Sequence, residues 1–210
     1  MAYLGHQKNY LPSSQVSSFL GDKKSASASP NTGNGLELIS GGTSTGNLSF
    51  PNLNTYSYNH LMLISCLNTS ATAETSMTIR FNGSSTTTDY RTYRAYRGFN
   101  NSSNNSAPIQ SYGDVYDGIS PNLYGGNHGA SARFNLIMYV YNYQSSSVTK
   151  QVEIFSGIAR DANLSSTASP AGTSMIQLTT GAFHNTNAIT SMTVTVPTLD
   201  AHTWSLYGIR

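Results

Sequence analysis

The amino-acid sequence predicts an all-β protein: an antiparallel β-sandwich or jelly roll with an extended N-terminal arm. Three observations lead there. Beyond Leu48, short apolar stretches alternate with clusters of Gly, Ser, Asn and Pro, the punctuation of strands and turns. Several of those stretches alternate apolar and polar residues with a period of two, which puts one face of a strand in a core and the other outside it. Helix start and stop signals are absent from the same region. The expected division is an arm over residues 1–45 and a sandwich over residues 46–210.

The arm region is poor in apolar residues, and "GDKKSASASPNTGNG" has no periodicity, the composition of a loose linker. Tyr3, Leu4, Tyr10, Leu11, Phe19 and Leu20 are apolar islands within it, suited to docking on a partner. "GLELIS" reads as a first short strand. "NHLMLISCL" (Asn59 to Leu67) is apolar at both parities, as in a strand central to a sheet, with Cys66 as a small buried hydrophobe. In "SMTIRF", Met77, Ile79 and Phe81 point one way while Thr78 and Arg80 point the other, and "NGSS" follows as a turn.

"DYRTYRAYRGF" (Asp89 to Phe99) interleaves tyrosines and arginines. As a strand it places Tyr90, Thr92, Arg94 and Tyr96 on one face, and Arg91, Tyr93, Ala95 and Arg97 on the other. Neither face gathers the aromatics that a base-stacking platform needs. Tyr and Arg are the residues enriched in protein–protein interface cores, so Tyr93, Arg94, Tyr96 and Arg97 are candidates for an oligomer interface. About thirty residues without a strand pattern follow, "NNSSNNSAPIQSYGDVYDGISPNLYGGNHGAS". A loop that long in a compact domain is usually functional or interfacial.

"RFNLIMYVYNY" (Arg133 to Tyr143) is the strongest strand. Phe134, Leu136, Met138 and Val140 share one face; Ile137, Tyr139, Tyr141 and Tyr143 share the other. "TKQVEIFSGIA" returns as a hairpin, and "TSMIQLTTGAF" adds a strand. "AITSMTVTVP" turns Met192, Val194 and Val196 inward, and "HTWSLYGIR" is a last strand in which Trp204 belongs to the core or to an interface. Tyr139, Tyr141, Tyr143 and Trp204 complete the interface candidates.

Composition argues against several functions. Charged residues make up 10% of the chain and the net charge is +2, against about a quarter charged in ordinary soluble domains. Nucleic-acid binding needs a dense field of Lys and Arg, so no nucleic-acid partner is expected. A near-neutral surface of hydroxyls and amides suits a subunit packed against neighbours. No apolar run reaches the length of a membrane helix, and "MAYLGHQKNYLPSS" lacks the pattern of a secretory signal. One cysteine excludes an intrachain disulfide.

No catalytic residue, metal site or cofactor is expected. The five histidines (His6, His60, His128, His184, His202) have no metal-ligand spacing. Asp114 and Asp117 are too few oxygens for a calcium loop, and no nucleophile elbow or phosphate-cradling loop is present. Glu37, Glu74 and Glu153 are so widely spaced that only the fold can bring two of them to glycosidase distance.

At this point three groups of residues combine: Tyr58 with His60-Leu61; Arg80-Phe81-Asn82-Gly83 with Tyr90; and Ile189-Thr190-Ser191 with Ser205-Leu206-Tyr207-Gly208-Ile209. Together they resemble a family of tailed-bacteriophage virion proteins, over roughly Leu48 to Arg210. The chain departs from that pattern at Asp89, where the family has Asn, and in the long loop before Arg133. The resemblance implies a jelly-roll-like virion component, commonly trimeric: a capsid decoration (cement) protein, a head fibre or a tail-associated protein. It implies assembly in the bacterial cytoplasm, residence on the virion surface, and the major capsid protein and neighbouring virion subunits as partners. The alternative is a fibre or receptor-binding protein whose long loop, with Tyr112, Tyr116, Tyr124 and His128, contacts host-surface glycans. A free carbohydrate-active sandwich protein is a third reading.

Overall fold

A computed structural model describes residues 35–69, 75–99, 110–114, 116–123, 132–159, 174–196 and 199–210. The strands are β1 (Leu36–Ser44), β2 (Leu48–Phe50), β3 (His60–Thr69), β4 (Thr75–Ser76), β5 (Thr78–Phe81), β6 (Tyr90–Phe99) and β7 (Gln110–Asp114). They continue with β8 (Asn122–Leu123), β9 (Ala132–Val140), β10 (Lys150–Ala159), β11 (Ser174–Phe183), β12 (Met192–Thr195) and β13 (Leu199–Ile209). The expected all-β antiparallel sandwich is what forms. The N-terminal arm lies outside the described residues. The sheet itself begins earlier than the boundary expected at residue 46, because β1 pairs with β13 along its length.

The two layers differ in width. One is an eight-stranded sheet in the order β1-β13-β3-β9-β10-β11-β6-β7, the other a three-stranded sheet in the order β2-β12-β5. The short pair β4-β8 stands beside them. All the pairings are antiparallel. β2, β5 and β12 each interrupt the run of strands in the wide sheet, so the chain crosses to the small sheet and back repeatedly.

Alternation decides what lies between the layers. From the wide sheet, Leu61, Leu63, Phe134, Leu136, Met138 and Val140 turn inward with Val152, Ile154, Phe183 and Leu206. Leu48, Phe50, Ile79, Phe81, Met192 and Val194 of the small sheet meet them in one core. Phe81, Tyr90 and Phe183 form its aromatic centre, with ring centroids 5.2–6.5 Å apart. Each fully buried side chain of this size contributes roughly 1.5–3 kcal/mol. Lys150, fully buried, donates from Nζ to the carbonyl oxygens of Thr186 (2.5 Å) and Asn187 (2.7 Å), and pins that loop beside the core.

Two devices close the sandwich. At the first, Asn82 and Gly83 both have positive φ (53° and 67°), and Ser84 N–H donates to the Phe81 carbonyl, a primed β-turn that leads the chain from the small sheet toward the wide one. Asn82 Oδ1 accepts from Thr190 N–H, Thr190 Oγ1 and Ser191 N–H at 2.7–3.2 Å, and its Nδ2 donates to the Ala188 carbonyl. Tyr90 caps the same turn: its hydroxyl accepts from Phe81 N–H (3.0 Å) and donates to the Ser84 carbonyl (3.1 Å). At the second, Tyr58 lies flat on the backbone of β13. A Cβ at Gly208 would stand 2.1 Å from the Tyr58 ring. The Arg210 guanidinium carbon is 5.6 Å from the centroid of the same ring. Burial, and then the Glu37 carboxylate, pushes the Tyr58 hydroxyl up to about 12.

Three sequence expectations change. Residues 100–131 were expected to lack strands, yet β7 and β8 lie within them. Their residues have no apolar alternation, and β7 exists by pairing with β6. Tyr143 does not share the outer face with Tyr139 and Tyr141. β9 ends at Val140, the chain turns through Asn142 (φ 53°), and Tyr143 becomes fully buried with its hydroxyl near the Leu53 and Tyr56 carbonyls (3.3 Å each). Cys66 is half-buried, because it has the parity of Met62 and Ile64 rather than that of Leu61, Leu63 and Leu67.

Two measurements check this fold. Gly208→Ala forces the Tyr58 ring off its seat and is expected to lower unfolding free energy by about 2–3 kcal/mol in urea titration, the usual scale for overpacking. His202 is buried and neither ring nitrogen has a hydrogen-bond partner, so burial lowers its pKa. The unfolded chain then takes up that proton first. The contribution of His202 is therefore intact above about pH 6.5 and declines as pH falls below it, by at most about 1.4 kcal/mol per pH unit. Unfolding curves at pH 7.5 and 5.5 should differ less for His202→Phe than for the parent chain.

Candidate interaction surface

The wide sheet has a second face, and its side chains fall into rows set by the strand register. One row runs Ile64, Ile137, Phe155, Leu178 and Ala95 across β3, β9, β10, β11 and β6. Ile64, Ile137 and Leu178 are each 39% exposed and Phe155 49%. On one side of it lie Tyr207, Met62, Tyr139, Glu153, Thr180 and Tyr93; on the other lie Thr203, Cys66, Asn135, Gly157, Ile176 and Arg97. Tyr93 and Ile176 are 61% and 62% exposed.

Among the described side chains of these three rows, Glu153 is the sole charge. Its carboxylate accepts from the Tyr141 hydroxyl (3.0 Å) and from Gln151 Nε2 (3.2 Å); burial, and then the Glu153 contact, raises the Tyr141 pKa. Tyr139 and Tyr141 stack with ring centroids 6.1 Å apart. The result is a broad surface with an uncharged apolar row along its middle, the kind that marks an interaction site. At its β6 edge a shallow groove of about 280 Å³ is lined by Tyr93, Thr149, Gln151, Thr180 and Ala182, with the backbone of Lys150 and Gly181.

The expected interface residues divide. Tyr93, Tyr139 and Tyr141 are on or beside this face. Arg94 turns inward and is buried: its Nη2 donates to the Tyr116 hydroxyl (2.7 Å), and its guanidinium carbon is 5.3 Å from the centroid of the Tyr116 ring. Its inward neighbours Thr92, Gln177 and Thr179 are also polar, so the interior changes character at this end of the sheet. Trp204 packs edge-to-face on Phe50, with centroids 5.1 Å apart, against the core. Tyr96 and Arg97 take register positions opposite Gln177 and Ile176, and their side chains lie outside the described residues.

The expected glycan-contact loop also divides. Tyr116 is held under Arg94, and Arg80 pairs with Asp117 beside it. Residue 112 lies in β7, paired with Arg94 of β6, with its side chain outside the described residues. Tyr124 and His128 lie outside the described residues, as do Tyr3, Leu4, Tyr10, Leu11, Phe19 and Leu20 of the arm.

Among the described residues no group of three His, Cys, Asp or Glu could hold a metal ion, and no helix is long and apolar enough to cross a membrane. Glu37 and Glu153 stand on β1 and β10, four strands apart, which is about 19 Å at ordinary strand spacing. Glycosidase carboxylates are separated by about 5–9.5 Å.

Residues that carry the resemblance meet one another in two places. Tyr58 meets Gly208; Asn82 meets Thr190 and Ser191; Tyr90 caps the turn at Phe81 to Ser84. They are framework contacts rather than ligand contacts. No family model and no curated protein sequence matches this chain.

The two faces of the sheet predict opposite mutational behaviour. Ile154→Ala, at a fully buried position, should cost about 2–4 kcal/mol in chemical denaturation. Ile176→Ala on the outer face should change the stability of the isolated subunit by less than about 0.5 kcal/mol.

Proposed function

We propose that this chain is a non-enzymatic bacteriophage virion structural protein, a capsid decoration (cement) protein that binds and stabilises the major capsid protein shell as a homotrimer. The observation that carries the reading is the outer face of the wide sheet: extensive, apolar and uncharged along its middle row, and left open by the small sheet. Such a surface suits a subunit whose working state is packed against other subunits. The contacts between motif residues support the virion family resemblance, since they form the closure of the fold rather than an arbitrary scatter. Decoration acts by binding: a subunit that binds the intact shell and not its separated parts stabilises the shell by mass action. Many copies, each making weak contacts, sum to resistance against internal pressure.

A fibre or receptor-binding role is the second reading. The groove beside Tyr93 favours it. An exposed tyrosine ring edged by Thr149, Gln151 and Thr180 offers an apolar plane with hydroxyl and amide groups, the chemistry that fits a pyranose ring.

Copy number separates the two. In purified virions, quantified against the major capsid protein by mass spectrometry, decoration gives a ratio from one-to-one to one-to-a-few. A fibre gives far fewer copies, and Tyr93→Ala then should lower glycan binding. Absence of the chain from particles overturns both readings.

A further inference from the structure

We propose that the apolar row Ile64–Ile137–Phe155–Leu178 on the outer face of the wide sheet is the surface through which copies of this chain pack against one another. This rests on the homo-oligomer of the proposed function and not on the virion role.

Four observations converge on a second copy as the occupant. The first is extent. Six strands from β13 to β6, at about 4.8 Å spacing and about eight residues of about 3.3 Å rise, make a face of roughly 750 Å². A standard interface takes about 600–1,000 Å² from each partner, so the face is of the size that a complex between two copies uses. The second is charge. Glu153 is held by Tyr141 and Gln151, and Arg97 stands at the β6 end of one flanking row, so the central row itself carries no charge and two copies meet there without like-charge repulsion. The third is symmetry. Around a closed axis the same patch of every copy can face its symmetry mates, and an apolar row with Phe155 at its centre matches those mates in chemistry. The fourth is the contrast with the opposite side of the sandwich. There the outward positions of the small sheet are Ser49, Thr78, Arg80, Thr193 and Thr195, polar throughout, and offer no rival apolar surface.

Cys66 supplies an internal reporter. It stands half-buried in the adjoining row, two residues from Ile64 on the same face, and is the chain's one thiol. A second copy seated on the row shields it.

The test uses the purified full-length chain in sedimentation equilibrium at micromolar concentration. The parent chain is expected to sediment at a multiple of 22.5 kDa. Phe155→Arg should weaken association at least 100-fold and return a 22.5 kDa species with unchanged far-ultraviolet circular dichroism. Ser49→Arg, on the small sheet, should leave the multimer intact. The Cys66 thiol should react slowly with a soluble disulfide reagent in the parent and several-fold faster in Phe155→Arg. Should Phe155→Arg not fold, Leu178→Ser gives the same reading with about a tenfold loss. A monomeric parent chain overturns the inference, leaving the face to a different partner. So does a multimer that Phe155→Arg and Leu178→Ser leave unchanged. Neither result touches the copy number in virions, so the virion reading stands or falls separately.

Discussion

An eight-stranded sheet has two faces, and the small sheet covers one of them. That constraint shapes the rest of the molecule. The small sheet of β2, β12 and β5 is wide enough to bury Val152, Ile154, Met138 and their neighbours, but it lies on one side only. Everything on the other side must then be made of residues that tolerate exposure or await a partner. The chain's answer is mixed: threonine, glycine and tyrosine toward the margins, and isoleucine, phenylalanine and leucine through the middle. A monomer gains nothing from that middle row, whereas an assembly does.

The same economy explains the framework contacts. With so few charges available, the fold is closed by shape and by neutral hydrogen bonds. Asn82 ties two distant segments together without an ion pair, by accepting three hydrogen bonds from one short segment. Gly208 is a glycine because a ring occupies the space of its side chain. These contacts join residues more than a hundred positions apart, which is why short motifs scattered along the sequence behave as one unit.

Much of this was legible in the sequence, and the failures have physical causes. Period-two alternation assigned the faces of β5, β9 and β12 correctly, because burial on one side enforces it. "NHLMLISCL" read as a central strand and is one, lying between β13 and β9. Alternation gives parity but not direction. Tyr90, Thr92 and Arg94 were placed together, yet nothing local says that the arginine faces inward; its partner Tyr116 is 22 residues away. Tyr143 was misplaced because parity is lost once the chain turns at Asn142. β7 escaped notice because an edge strand of Gln, Ser, Tyr, Gly and Asp owes its existence to its neighbour. The outer apolar row was visible only as strands apolar at both parities; its continuity across five strands depends on register, which no single segment encodes.

The place of β13 in the sheet bears on how the protein is made. It lies between β1 and β3, strands from the opposite end of the described chain. A ribosome adding about 5–20 residues per second needs on the order of ten seconds to travel from β3 to β13. Throughout that interval β1 has no neighbour in the sheet and β3 has at least one open edge. Any β13 fits that gap, from the same chain or from another emerging nearby. Exchange of the strand between chains is then a competing route during synthesis, and its share grows with the local density of translating ribosomes.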